Sequence, residues 1–238
     1  MRAQTLAIFA TIACAAAAGA AAAVGCAGAR PRAAEAAPDA AASSSAAARP
    51  LAPMAAQRIV VAPVQQLRGA ESVGWSQAMG PAADYLRLVD DEIAFALRER
   101  QVGADWVFPP QLAATARRNA PVAADPYALQ VAQLLAPPPR SGGPVEIVEP
   151  LAGQARSLVA FSDARYVLIP TELRFERRAQ TAESGGAARA VLRVAVVDAR
   201  LSRLRWAGDV ASDTASAFSP AIAAGVAARL ADLVAPIP

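Results

Sequence analysis

Apolar and polar residues recur from Arg58 onward with periods that predict strands and helices in turn. The β-branched run RIVVAPV (58–64) predicts a buried first strand. Gly80 and Pro81 then mark a helix start, and the helix predicted over 82–100 has one apolar stripe of Leu86, Val89, Ile93, Ala96 and Leu97. The segment ADWVFP (104–109) predicts a short second strand, and weaker helical patterns follow over 111–119, 126–135 and 149–161.

A clean alternation over 164–178 predicts a half-exposed strand. Val167, Ile169, Leu173 and Phe175 are expected on one face, and Glu172, Arg174 and Glu176 on the other. Pro170 within this strand predicts an edge position or a bulge, because proline cannot donate to a ladder. A turn over 179–188 and two further strands, over 189–199 and 203–212, complete an antiparallel meander.

The chain closes with a predicted helix after Ser219 and Pro220, where Ile222, Val226, Leu230 and Leu233 recur at helical spacing. The order is strand, helix, strand, helices, three strands, helix. This order predicts an α/β fold in which helices pack on a mixed sheet of about five strands. We expect residues 58–238 to form this single domain.

Residues 1–25 have the pattern of a signal peptide, with Arg2, an apolar region and a small-residue end. Ala23-Val24-Gly25-Cys26 resembles the box that precedes the lipidated cysteine of bacterial lipoproteins. We therefore predict that Cys26 becomes the first mature residue and carries the acyl groups, palmitate among them. Cys14 lies too early, because the apolar region before it is too short. Simple cleavage after the alanine-rich run and an uncleaved anchor remain alternatives.

Residues 26–57 are rich in Ala, Pro and Ser and have no periodic large apolar residues. This composition predicts a disordered tether between the lipid and the folded domain. In bacterial lipoproteins, Asp directly after the lipidated cysteine favours the inner membrane. Ala27 stands at that position here, which resembles the default pattern of lipoproteins sorted to the outer membrane. The expected location is the outer membrane facing the periplasm, with the lipid anchor as the contact to the bilayer.

Three motifs together resemble the family that includes the TolB amino-terminal domain, the penicillin-binding-protein activator LpoB and the curli-secretion lipoprotein CsgG. They are RIVVAPV (58–64), FSDARYVLIPTEL (161–173) and LRVAVVDARLSRLRWAG (192–208). Pro170 departs from the pattern, as does ARLSR where the turn commonly carries Thr-Gly. The resemblance implies a TolB amino-terminal-like fold and a lipoprotein that binds and modulates or assembles another envelope protein.

The composition excludes several kinds of catalysis. The sequence has no His, and its basic residues are all Arg, so Ser-His-Asp and Cys-His catalysis, His-ligated zinc sites and lysine Schiff bases are ruled out. Asp90, Asp91 and Glu92 are consecutive on a helix, so we expect them to diverge on a solvated face. Glu146 and Glu149 lie close together in the sequence, so a glycosidase that uses a pair of carboxylates remains an alternative. We predict no catalytic residues, no metal, no cofactor and no enzymatic activity.

The pI near 9.4 accompanies a formal net charge of only +3, so it reflects the absence of groups that titrate near neutrality. The pairs Arg117-Arg118 and Arg177-Arg178 lack interleaved aromatic residues, and we do not expect nucleic-acid binding.

A partner protein of the cell envelope is the leading prediction, and the domain itself is expected to be a monomer. Trp75, in a loop flanked by glycine, is predicted to be exposed and to contact that partner. Trp206 shares the inward register of Leu204 and Val210 and is predicted to be core. Two alternatives are a ligand- or glycan-binding module and a CsgG-like oligomeric secretion component. The second would need the hairpin 174–193 to enter a bilayer, although both its arms carry charges.

Overall fold

Six strands and a set of helices on both faces of the sheet make up the fold. The computed structural model describes residues 49–137, 143–177 and 187–235. The strands are β1 (Ile59–Val61), β2 (Leu67–Arg68), β3 (Val145–Glu146), β4 (Tyr166–Arg177), β5 (Ala188–Asp198) and β6 (Arg203–Ala211). The helices are α1 (Ser76–Met79), α2 (Ala82–Glu99), α3 (Pro109–Arg118), α4 (Ala132–Leu135), α5 (Leu151–Val159) and α6 (Ala221–Val234). The predicted mixed α/β fold is confirmed.

The strands lie in the order β1-β4-β5-β6-β3, and β2 also pairs with β4. Both β1 and β2 run parallel to β4, whereas β4, β5 and β6 form the predicted antiparallel meander. The segment 104–109 contributes a single bridge, between Val107 and Val60, rather than a strand. The two-residue strands β2 and β3 were not predicted, because so short a segment has no measurable alternation.

A bulge in β4 changes which face of the sheet its side chains occupy. Pro170 pairs with Val194 and Glu172 pairs with Arg193, so Thr171 is an extra residue with no partner in β5. Val167 and Ile169 consequently lie on one face, and Leu173 and Phe175 lie on the opposite face. The prediction that these four side chains share a face was wrong. Of the two alternatives predicted for Pro170, the bulge is confirmed, whereas β4 is not an edge strand.

Pro170 is tolerated because of what lies beside it. Its carbonyl accepts a hydrogen bond from the Gln65 N–H at 3.0 Å, at a point where the chain has left β1 and has not yet formed β2. In a strand, the N and the C=O of one residue point to the same side, so the missing N–H of Pro170 faces the segment between β1 and β2. The β4–β5 ladder therefore loses no hydrogen bond at Pro170.

The first face of the sheet is covered by α2 and α6, and the second face is covered in part by α3, α4 and α5. On α2 the buried side chains include Val89, Ile93, Ala96 and Leu97 as predicted, with Tyr85 buried where Leu86 was expected. On α6 they include Ile222, Val226 and Leu230 as predicted, and Val234 is buried more fully than Leu233. Helical periodicity therefore located both main helices to within one position.

The packed unit begins before the predicted boundary at Arg58. Leu51 is buried, and its N–H donates to the carbonyl of Leu233 at 3.2 Å. A 3-10 turn over Ala52–Met54 follows, and Met54 packs against the same core. The predicted tether therefore ends at or before Leu51, because these apolar side chains find a binding surface on α6. Residues 1–48, including the predicted signal peptide and Cys26, lie outside the described residues.

The turn after β2 depends on glycine at two positions, which provides a matched pair of substitutions. Gly69 and Gly74 both have φ near +79°. A Cβ at Gly69 would lie 2.4 Å from the backbone oxygen of Phe175, whereas a Cβ at Gly74 would meet nothing within 4 Å. The two sites thus share the conformational penalty of a left-handed residue and differ in steric clash.

We expect Gly74→Ala to lower the free energy of unfolding by about 1–2 kcal/mol, the cost of a left-handed non-glycine residue. Gly69→Ala should cost at least about 1–2 kcal/mol more, since β2 must also move away from β4. Urea denaturation of the two variants and the parent protein measures both. Equal losses for the two variants would show that the close approach of Gly69 to Phe175 is wrong.

Candidate functional site

The part of the second sheet face that lies beyond the bulge carries charged side chains in place of a hydrophobic core. We call this surface the charged face. Its members come from four strands and are Arg68, Glu172, Arg174, Glu176, Arg189, Arg193 and Asp209. Among the described residues, the apolar side chains of α3, α4 and α5 pack on the other part of this face, near Val167, Ile169 and Ala195.

Strand register places opposite charges next to one another on this face. Glu172 pairs with Arg193, and Arg193 pairs in turn with Asp209 on β6. Glu176 pairs with Arg189. Directly opposed side chains on one sheet face lie about 4.5–5.5 Å apart at Cβ, and opposite charges in these positions stabilise the pairing. The bulge at Thr171 creates this arrangement, because it moves Glu172, Arg174 and Glu176 onto the face that Arg193 occupies.

Arg174 is the centre of the charged face. Its Nε donates to Glu176 Oε1 at 2.7 Å, and its Nη2 donates to Asp209 Oδ2 at 2.7 Å. Glu176 is also contacted by Arg189, with Nη2 to Oε2 at 3.2 Å. A guanidinium group offers five N–H donors in a fixed fork, so Arg174 joins β4 to β6 across β5. Its cross-strand partner on β5 is Val191, which is buried.

Arg193 fastens the charged face to the helices on the other part of the same sheet face. Its side chain is buried, and its guanidinium donates to the carbonyls of Leu134 at 2.7 Å and Ala136 at 2.6 Å. A third hydrogen bond goes to Asp209 Oδ1 at 3.1 Å. These carbonyls lie at the carboxyl end of α4, where helix carbonyls lack intrahelical donors. Arg193 thus satisfies two backbone acceptors and one carboxylate at once.

Glu172 is held less completely than the other carboxylates. Its Oε1 lies 3.0 Å from Arg68 Nε, but the geometry is not that of a hydrogen bond, and its Oε2 lies 3.9 Å from Arg174 Nη1. The residue is buried, so an ion pair without a hydrogen bond compensates its loss of hydration only in part. Arg68 is 64% exposed, which leaves its guanidinium free to turn toward a group outside the chain.

The arginines keep the neighbouring carboxyl groups ionised. The hydrogen bond from Arg174 is the main cause that holds the pKa of Glu176 below its usual range. Burial acts to raise the pKa of Asp209, but the hydrogen bond from Arg174 and the charges of Arg174 and Arg193 outweigh it, so the pKa of Asp209 is also lowered. Both groups are therefore charged at neutral pH, and the charged face is a fixed array of ion pairs.

The chemistry that this array supports is recognition of a polar, charged surface. Arg68 and Arg189 lie at its margins and are 64% and 46% exposed. Arg189 is held by its hydrogen bond to Glu176, so it has less side-chain entropy to lose when a carboxylate binds, whereas Arg68 remains free to turn toward one. In the part of the chain that the structure describes, no group of three or more His, Cys, Asp or Glu side chains could hold a metal ion.

The structure contradicts the predicted exposure of Trp75 and places Trp206 only partly in the core. Trp75 is only 6% exposed, and its ring makes an edge contact with Phe175 at 5.2 Å between centroids. The loop folds back because the Trp75 N–H donates to the carbonyl of Ala70 at 2.8 Å. The expected exposure of Trp75 was therefore wrong, and its side chain cannot serve as an open contact. Trp206, predicted as core, is partly buried and packs against the same core as Val210, whereas Leu204 packs on the opposite face, so the predicted shared register of Trp206 and Leu204 was wrong.

The acidic residues singled out in the sequence are also separated by the fold. Asp90 is buried, contrary to the expectation of a solvated face, whereas Asp91 and Glu92 are not buried. Glu149 accepts hydrogen bonds from the Gly153 N–H and from Arg156, and Glu146 lies on β3. Alternation predicted that Glu172, Arg174 and Glu176 share a face, but the other members of the charged face could not be predicted, because strand register brings them there.

No known protein-family model and no curated protein sequence matches the chain. Among solved structures, PelC from Paraburkholderia phytofirmans, described as a dodecamer, is similar with a TM-score of 0.37 and 14% identity over 76% of this chain and 89% of that one. Lipoprotein GNA1162 from Neisseria meningitidis is similar with a TM-score of 0.33 and 13% identity over 70% and 90%. The resemblance to the TolB, LpoB and CsgG family stays a prediction.

Within the described residues, no helix is both long and apolar enough to cross a membrane.

Replacing Arg174 by Gln should raise the pKa of both Glu176 and Asp209 toward ordinary carboxyl values. The pKa of Glu149 is also lowered, but chiefly by the Gly153 N–H with a contribution from Arg156, so it serves as an internal control that should not move. Carboxyl-carbon NMR titration measures all three. In the parent protein, a carboxyl group whose pKa is lower in the folded state than in the unfolded state adds to the stability at any pH above its unfolded-state pKa. This added stability should be lost as the pH falls through the folded-state pKa. An unchanged pKa of Asp209 in the variant would contradict the assigned ion pair between Arg174 and Asp209.

Proposed function

We propose that this chain is a non-catalytic lipoprotein of the bacterial cell envelope whose α/β domain binds another envelope protein through the charged face. The observation that carries the proposal is the array of ion pairs around Arg174, whose margins at Arg68 and Arg189 are exposed. A polar, solvated face is common in antiparallel sheets, but on this face the central charges are held in place by hydrogen-bonded ion pairs. Its margins carry exposed arginines.

Arginine side chains held by neighbouring carboxylates suit recognition of a protein surface. Arginine is enriched at protein interfaces, and charged groups across an interface fix register and partner choice. Arg68 and Arg189 lie on strands at opposite sides of β4, so a partner that contacts both must cover Arg174. The expected partner surface is rich in carboxylates, because the exposed members at the margins are cationic.

The sequence supports the non-catalytic part of the proposal. It contains no His and no Lys, which removes the side chains that most often serve as general bases or amine nucleophiles. The predicted acylation of Cys26 would hold the domain at the bilayer, and the segment between Cys26 and Leu51 would allow it to reach a partner. Location at the outer membrane belongs to the same proposal.

Charge reversal at the margin tests the proposed interface. In-cell crosslinking followed by mass spectrometry should recover a specific envelope protein with the parent chain, and Arg189→Glu should reduce its yield by about tenfold, as expected for charge repulsion at an interface. Arg118→Glu is the matched control, because it makes the same change at an exposed position of α3 and should leave the yield unchanged. Circular dichroism checks that both variants are folded. Equal recovery with both variants, or no specific partner, would contradict the proposal.

Cys26→Ser tests the proposed anchor separately. The parent protein should be found in the membrane fraction and incorporate labelled palmitate, whereas the variant should do neither, because the serine cannot receive the thioether-linked lipid. Cys14→Ser is the control and should behave like the parent. Palmitate label that persists in Cys26→Ser, or is lost in Cys14→Ser, would show that the anchor is misassigned.

A further inference from the structure

A cavity of about 370 Å³ lies between the end of β1 and the first half of α2. Its walls are Val64 and Gln65 after β1, Ala83, Leu86, Arg87 and Asp90 on α2, and Tyr127. Crevices at the carboxyl ends of parallel strands are the usual ligand sites of open α/β sheets. None of these residues belongs to the charged face, so the cavity is a second and separate feature of the domain.

Asp90 is the polar group of this cavity and is only 7% exposed. Its Oδ1 accepts a hydrogen bond from the Val64 N–H at 2.8 Å. No described residue donates a hydrogen bond to its other oxygen, Oδ2. This oxygen is not sealed within the interior, so a ligand or water in the cavity can reach it and supply the donor. The carboxyl group therefore has an open acceptor position in a cavity that is otherwise lined largely by apolar groups.

The opposite wall of the cavity is held in a fixed position by Gln65. Its side-chain amide donates to the carbonyl of Pro126 at 2.9 Å, and its Oε1 accepts from the Leu129 N–H at 3.0 Å. These two contacts flank Tyr127 and fix that segment against the end of β1. The Tyr127 ring is 49% exposed, so it forms a rim that separates the cavity from the space beyond.

Beyond Tyr127 lies a second cavity of about 420 Å³, and Tyr127 lines both. Arg117 and Asp125 contribute to its walls, but most of the lining is small and apolar, from Ala113, Ala116, Ala120, Ala123 and Ala124. The two cavities thus offer an acidic group at one end, an aromatic ring in the middle and a largely apolar pocket at the other end. An elongated ligand with one polar head and an apolar body would complement this order.

The charges around Asp90 favour a cationic head group. Arg87, the basic residue that lines the same cavity, is paired with Asp84 one helical turn earlier. Burial is the main cause that raises the pKa of Asp90 to about 7, against the Val64 N–H, which lowers it, and the charge of Asp91 adds to the increase. An ammonium group within hydrogen-bond distance would restore the ionised form, because an opposite charge favours it.

We propose that this cavity binds a small molecule with a primary ammonium group on an apolar stem, with the ammonium donating to Asp90 Oδ2. The stem passes the ring of Tyr127 toward the alanine-lined cavity. The ammonium group contributes the charge-assisted hydrogen bond, and the stem contributes burial of apolar surface. This binding is independent of the protein partner proposed above.

Calorimetric titration of the full-length protein at pH 8 with n-hexylammonium chloride tests the proposal, with n-hexanol as the neutral probe of equal length. The parent protein should bind the amine at least about tenfold more tightly than the alcohol, as expected for a charge-assisted hydrogen bond at a buried carboxylate. Asp90→Asn should lose about this factor for the amine and change little for the alcohol. Asn can still accept the Val64 N–H, so the variant should fold.

Asp91→Asn is the matched control, because it removes the same charge one residue away at an exposed position that does not line the cavity. It should bind the amine as the parent protein does. Equal loss in Asp90→Asn and Asp91→Asn would indicate a general charge effect and overturn the assignment. Unchanged amine binding in Asp90→Asn, or no amine binding by the parent protein, would also overturn it.

Discussion

The extra residue in β4 is the constraint on which the arrangement of this domain depends. Side chains alternate strictly along a strand, so one unpaired residue exchanges the faces of all that follow. Here Thr171 is that residue. Before it, Val167 and Ile169 complete the core beneath α3, α4 and α5; after it, Leu173 and Phe175 complete the core beneath α2 and α6. Tyr166 and Leu168 already face the first layer before the bulge, and beyond it Leu173 and Phe175 face that layer too.

The same change of face explains why charges are gathered beyond the bulge. Glu172, Arg174 and Glu176 arrive on the face where β5 presents Arg189 and Arg193. Arg193 then connects this surface to the end of α4 through two backbone carbonyls. The same residue thus positions both the charged face and the end of α4. The cavity beside Asp90 lies outside these contacts and depends on the packing of α2 against the end of β1.

Local patterns predicted the elements that are long enough to show a period. The two main helices, the three strands of the meander and the bulge near Pro170 were all found from spacing and from the chemistry of proline. The face of each side chain after the bulge was not, because the period-2 rule assumes an unbroken strand. Trp75 was misplaced for a related reason: its burial comes from a long-range return of the loop onto Phe175, which flanking glycines do not reveal. Asp90 is likewise buried by a contact with Val64 that lies far from it in sequence.

Cross-strand NOEs in the β4–β5 hairpin of the folded protein test the central claim, that Thr171 is the unpaired residue, most directly. The account predicts NOEs that pair Pro170 with Val194 and Glu172 with Arg193, with no cross-strand partner for Thr171. An unbroken ladder that pairs Thr171 with Arg193 and Glu172 with Leu192 would contradict it. In that case Glu172, Arg174 and Glu176 would not share a face with Arg193, and the charged face would not exist.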